Sequence, residues 1–249
     1  EGFAQWFESP YSFARSEELA VIYDVPPWDG GAQPPKFKPG TRAGLLTRAA
    51  LVASGSANTR PILKGTFIRK QLLCDQVPPP PCDAMQVPVL SEEFTTRQTV
   101  EALTEQPGTS CASCHAYQIN PLGFTTENYD GLGRFRREQR LFTPTGVEVA
   151  RKQVDTVAIP RVTLYDATQV AGAGELAQKI LESGKGEACF ARQYVRFVHG
   201  RAEDLEADGC LLESIRKAAR EPKGLRTALK APALMPEFRL RRVSPRTTG

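Results

Sequence analysis

The sequence predicts a mainly α chain with a short β insertion and a C-terminal helical region. Two observations carry this. Apolar residues recur at helical spacing in three segments of the first half and through most of the last hundred residues. Between them, residues 141–165 are rich in Val, Thr and Phe and carry the turn residues Pro144 and Gly146, which fits two or three short strands.

Residues 1–40 read as irregular, the end of a preceding domain, because Pro26-Pro27, Gly30-Gly31, Pro34-Pro35 and Pro39-Gly40 interrupt any long element. A short helix is expected over Ser16–Tyr23, with Leu19, Ala20 and Ile22 or Tyr23 inward. The stretch RAGLLTRAALVAS (42–54) has helical spacing, as does Leu63–Cys74, which stops at the extended run Pro78–Pro81. Residues 95–106 predict another helix, ended by Pro107-Gly108. Later helices are expected over 174–183, 187–199, 205–220 and 224–231, punctuated by Gly184, Gly186, Gly200, Pro222 and Gly224. The expected organisation is an irregular segment 1–40, a domain over 41–140, a β region over 141–170 and a helical domain over 171–249.

The chain has 249 residues, 41% of them apolar and 24% charged, as in ordinary globular proteins. No apolar run approaches the roughly 20 residues that span a bilayer. It starts Glu1-Gly2-Phe3, without a signal segment, and is expected to be a mature form or a piece of a longer precursor. Net charge is +4, but Arg216–Arg246 holds ten Lys/Arg against Glu221 and Glu237, so this stretch is +8 and the remainder −4. Such an end can steer an acidic partner or serve as a solvated face. Nothing interleaves aromatics with the charge as a nucleic-acid platform does.

The chemistry-bearing motif is Cys111-Ala112-Ser113-Cys114-His115. Two thiols three residues apart on one helical turn can both add to the vinyl groups of one porphyrin, and the following histidine is then held under the iron; CxxCH is the attachment pattern of c-type haem. A zinc half-site needs a second ligand pair, and none exists in the sequence. A redox-active pair needs no adjacent histidine. One covalent haem c is expected on Cys111 and Cys114, with His115 as axial ligand.

Asn120-Pro121-Leu122-Gly123-Phe124, Glu127-Asn128-Tyr129-Asp130, Gly131 and Gly133-Arg134-Phe135-Arg136 follow the motif directly. This region resembles the planctomycete-type cytochrome c-like domains of unknown function, also found in myxobacteria. Those read CxxCH, Asp-Pro-Leu-Gly-Phe, Glu-Asn-Phe-Asp and Gly-Arg-Trp-Arg. Arg42–Thr47, Lys64–Arg69, Phe190–Arg201 and Pro236–Arg239 are similar to further stretches of that family, so the resemblance covers about residues 12–242. It implies a cytochrome c-like haem domain followed by a helical domain, within a longer precursor. Asn120 departs from the usual Asp, and the strand region is longer than the family pattern.

His115's second ring nitrogen is expected to donate to a carbonyl near Pro121. Phe124, Tyr129 and Phe135 wall the ring or simply pack the core; Arg134 and Arg136 pair with propionates or stay solvated. For the sixth iron position the options are Met235, Met85 and His199, or no protein ligand. His199 shares a charged face with Arg192 and Arg196, which favours a surface role. The remaining cysteines, Cys74, Cys82, Cys189 and Cys210, allow three pairings; the local one, Cys74–Cys82 and Cys189–Cys210, is expected over buried free thiols, the second loop giving roughly 3 kcal/mol. Covalent haem and disulfides both imply a periplasmic or extracellular setting. The expected function is electron transfer beside a redox partner protein, possibly another chain of one complex. A haem enzyme of peroxidase or oxidase type and a structural haem module are the alternatives.

Overall fold

The computed structural model describes residues 2–79, 91–235 and 238. It is mainly α, with 47% helix and few short strands. The chain divides into two compact units, residues 5–186 and residues 1–4 with 187–249.

In the larger unit, a short helix α1 (Ala4–Glu8), which the sequence did not signal, precedes α2 (Glu17–Tyr23). Ser16 caps α2 by accepting from the Leu19 N–H. The single helix expected over 42–54 is instead a 3-10 turn, Leu45–Thr47, followed by α3 (Ala49–Val52). The break has local causes. The Thr47 hydroxyl bonds the backbone of Ala43 and Gly44, and Arg48 is extended, with ψ at 142°. Then come α4 (Pro61–Phe67), a π turn over Ile68–Leu72, α5 (Thr96–Thr104) with a Thr95/Gln98 capping box, α6 (Ser110–Cys114), a second π turn over His115–Ile119, and α7 (Asn120–Phe124). Strands β1 (Glu138–Phe142) and β2 (Glu148–Gln153) form an antiparallel hairpin, and β3 (Val157–Ala158) pairs with β4 (Val170–Ala171). Helix α8 (Gly172–Ser183) closes this unit, and α9 (Lys185–His199) begins at its end.

Three buried cations, Arg42, Lys64 and Arg69, organise the interior. Arg42 is buried, its guanidinium 4.9 Å from the centre of the Tyr23 ring and 4.7 Å from that of Tyr129. It donates to the carbonyls of Thr47, Ile22 and Gly133. The Tyr129 hydroxyl donates to Thr41 O at 2.6 Å, and burial pushes its pKa up to about 12. Lys64 sits 3.1 Å from the Glu127 carboxylate, both buried, and the Thr59 hydroxyl donates to the other carboxylate oxygen at 2.6 Å. Burial drives the Lys64 pKa down. Arg136 lies 3.6 Å from the same carboxylate and donates to the Glu127 carbonyl. Arg69 reaches the carbonyls of Gln118, Pro160 and Arg161, which fastens the stretch after β3 to the π turn behind the cysteine motif.

Helix α4 crosses α7 at two glycines. A Cβ on Gly65 would meet Ile119 O at 2.0 Å, and one on Gly123 would meet Pro61 O at 2.0 Å. Gly123→Ala is therefore expected to destabilise the chain by about 3 kcal/mol or more; alanine's helix preference of about 1 kcal/mol opposes this and loses. A thermal melt of the variant checks this, and an unchanged midpoint would contradict the close crossing.

The smaller unit contains the rest of α9, then α10 (Gly209–Arg220) and α11 (Leu225–Leu234), packed through Val195, Leu211, Ile215, Ala219 and Ala228. Phe3 joins it, its ring tilted against that of Phe190 with centres 5.5 Å apart. Arg192 and Arg196 both hold Glu203, and Arg201 holds Asp208. These arginines keep the Glu203 and Asp208 carboxyls down at about 2. A depressed carboxyl contributes stability above its unfolded pKa and loses it as pH falls through the folded value. Melting temperature is therefore expected to fall from about pH 4.5 to 2, with a shallower fall in Glu203→Gln. A slope equal to that of the parent chain would contradict this.

The predicted cysteine pairing needs correction. Cys74 and Cys189 are the disulfide-bonded cysteines, whereas Cys210 is a free, exposed thiol, so Cys189–Cys210 does not form. Sequence proximity misled here, because a disulfide follows spatial distance between Cβ atoms and not chain separation. Cys82, the other half of the expected Cys74–Cys82 bridge, lies outside the described residues.

Candidate functional site

Thr109 starts the site. Its side chain accepts from the Ala112 N–H and caps α6, which places Cys111 and Cys114 on one short helical turn. Both are free thiols, half-buried and so within reach of a ligand. His115 opens the π turn. Pro121 has no N–H to donate to a residue one turn back, and a regular helix would drive its ring into a preceding carbonyl. The chain widens instead, and the Asn120 N–H bonds the His115 carbonyl five residues back.

That widening stacks His115 directly on Asn120. His115 Nδ1 lies 3.1 Å from Asn120 Oδ1. The acceptor near Pro121 is thus a side-chain carbonyl, one residue earlier, and not a backbone one. Asn120 is fully buried. Its amide nitrogen donates to Thr104 Oγ1 at 2.9 Å and to Glu105 Oε1 at 2.8 Å. Glu105 also lines an open cavity of about 340 Å³ shared with Arg97, Glu101, Tyr117, Phe124 and Arg161. Nothing in the local sequence signals Thr104 or Glu105, because their role depends on the five-residue spacing of the π turn.

The other predicted residues are placed as follows. Phe124 is buried under the Arg97 guanidinium, 4.6 Å from the ring centre. Tyr129 belongs to the Arg42 cluster and meets Phe135 edge-on at 5.9 Å. Arg134 pairs with Asp130 and Arg136 with Glu127. Met235 is half-buried in extended backbone after α11. His199 is half-buried, with its Nε2 shielded from solvent, so it is not the freely exposed histidine expected from its charged neighbours. Met85 lies outside the described residues. Among the described residues, no group of three or more His, Cys, Asp or Glu is placed to hold a metal ion. No described helix is long and apolar enough to cross a membrane.

The residues present fit a c-type haem. Two unpaired thiols precede an imidazole whose Nδ1 is already engaged, which leaves Nε2 to face a ligand. No curated protein and no solved structure matches the chain. Residues 42–139, which carry Arg42, Lys64, the Cys111–His115 motif and Glu127–Arg136, match the model of the family PSCyt3, described as a protein of unknown function (DUF1588).

Proposed function

We propose that the chain is a mono-haem c-type cytochrome that passes electrons to a redox partner protein outside the cytoplasm. The observation that carries this is the pair of free thiols on α6 followed by a histidine whose Nδ1 is held by Asn120. Cys74 and Cys189 are disulfide-bonded while Cys111 and Cys114, closer in sequence, are free thiols. That contrast favours thioether attachment over a redox-active pair, and the disulfide cysteines favour an oxidising compartment.

Bound there, haem supplies a one-electron couple at iron. Cys111 and Cys114 would hold it through two thioethers, each S–H added across one vinyl C=C of the porphyrin. His115 would offer Nε2 to the iron. Thr109 and the π turn fix the angle between the thiols and the imidazole. Glu127, Asp130, Arg134 and Arg136 are committed to ion pairs of the fold, so no free acid–base pair from the motif region stands ready for peroxide chemistry.

The test is an absorption spectrum of the full chain, oxidised and reduced, with and without carbon monoxide. A low-spin spectrum indifferent to carbon monoxide is expected for electron transfer. A high-spin spectrum that shifts with carbon monoxide would replace it with the enzyme reading.

A further inference from the structure

Asn120 can be placed either way round, and the direction decides which nitrogen of His115 carries the proton. The neighbours settle it. The Thr104 hydroxyl donates its proton to Val100 O at 2.7 Å, so its oxygen is left to accept. The Glu105 carboxylate, open to the cavity, only accepts. Both therefore require the NH2 of Asn120 on their side, at 2.9 and 2.8 Å. The Asn120 carbonyl then faces His115, and Nδ1 must be the protonated nitrogen. Nε2 is left with its lone pair.

We propose that Asn120 is the positioning residue that locks His115 in the Nδ1–H tautomer, and that Thr104 and Glu105 set the direction of Asn120. This rests on the haem reading for its purpose, but the tautomer itself is a property of the chain. An amide at this place also limits ligand strength. A carboxylate accepting from Nδ1–H would pull charge onto the imidazole and make it a stronger donor to iron, which lowers a potential; a neutral amide does so less. Position 120 and position 105 are coupled. An Asp at 120 would set a second carboxylate at hydrogen-bond distance from the Glu105 carboxylate, so an aspartate there calls for a neutral partner at 105.

The test uses the full chain carrying Cys111→Ala and Cys114→Ala, so that no iron holds Nε2, 15N-labelled, with long-range proton–nitrogen correlation of its two histidines. His115 is expected to show a protonated Nδ1 and an unprotonated Nε2. Glu105→Gln combined with Thr104→Val, both positions half-buried, removes both fixed acceptors and is expected to permit both directions of Asn120 and to mix the tautomers. In the haem-bearing chain, Asn120→Asp combined with Glu105→Gln is expected to favour the oxidised state about tenfold, a fall of about 59 mV for one electron. A His115 protonated on Nε2, or a single tautomer unmoved by Thr104→Val with Glu105→Gln, overturns the proposal. An Nε2–H tautomer in that haem-free chain, with covalent haem on the parent chain, sinks this inference and leaves the haem reading standing. The Nδ1–H tautomer there, with a parent chain that never takes up haem, does the reverse.

Discussion

Replacing Cys111 and Cys114 together with alanine is expected to remove all haem that survives denaturation of the chain. The two sulfurs are three residues apart on α6 and are free thiols, and among the described cysteines only Cys210 is also free. Cys210 has no following histidine and lies in the smaller unit. The single variants discriminate further. Cys111→Ala or Cys114→Ala alone leaves one thioether, and the spectrum of the extracted haem in alkaline pyridine should shift toward that of a porphyrin retaining one vinyl group. Covalent haem persisting in the double variant would place the attachment elsewhere. His115→Ala separates attachment from ligation: the thioethers can still form, but the low-spin spectrum is expected to be lost.

Glu127→Gln is expected to destabilise the chain by about 3–5 kcal/mol, the effect of breaking a buried ion pair and leaving a charge behind. Lys64 keeps only 5% of its side-chain surface and has the Glu127 carboxylate at 3.1 Å as its counter-charge. Glutamine preserves the shape and can still accept from Thr59, so the loss is one of charge and not of volume. For a chain of this size each kcal/mol moves the melting midpoint by about 2–4 °C, so a drop of roughly 6–20 °C is expected. Adding Lys64→Met to Glu127→Gln removes the orphaned cation and should recover part of that loss, a coupling on the order of 1–3 kcal/mol. Additive effects of the two substitutions would show that the pair does not interact.

What the sequence made legible was local. The helices starting near residues 16 and 95, the helical spacing of α8 to α11 and the cysteine–histidine spacing are each encoded within a few residues. What it hid was set by distant parts of the chain. Arg42, Lys64 and Arg69 carry charge and look solvent-facing in isolation; they are buried because carbonyls, tyrosines and Glu127 from far along the chain surround them. Thr104 and Glu105 end a helix and carry no motif, and only the π turn brings Asn120 to them. Asn120 itself was visible as a departure from the usual aspartate, but its meaning needed Glu105 beside it. Several residues of the 120–136 stretch serve the fold: Gly123 the helix crossing, Glu127 and Arg136 the buried ion pairs, Tyr129 the Arg42 cluster.

The most direct measurement is the intact mass of the denatured, reduced chain, produced in a cell that matures c-type cytochromes, followed by mapping of its peptides. The account predicts a single species heavier by one haem, with the added mass on the peptide that contains Cys111 through His115. A chain of unmodified mass, with both thiols on that peptide free or bridged to each other, would contradict it.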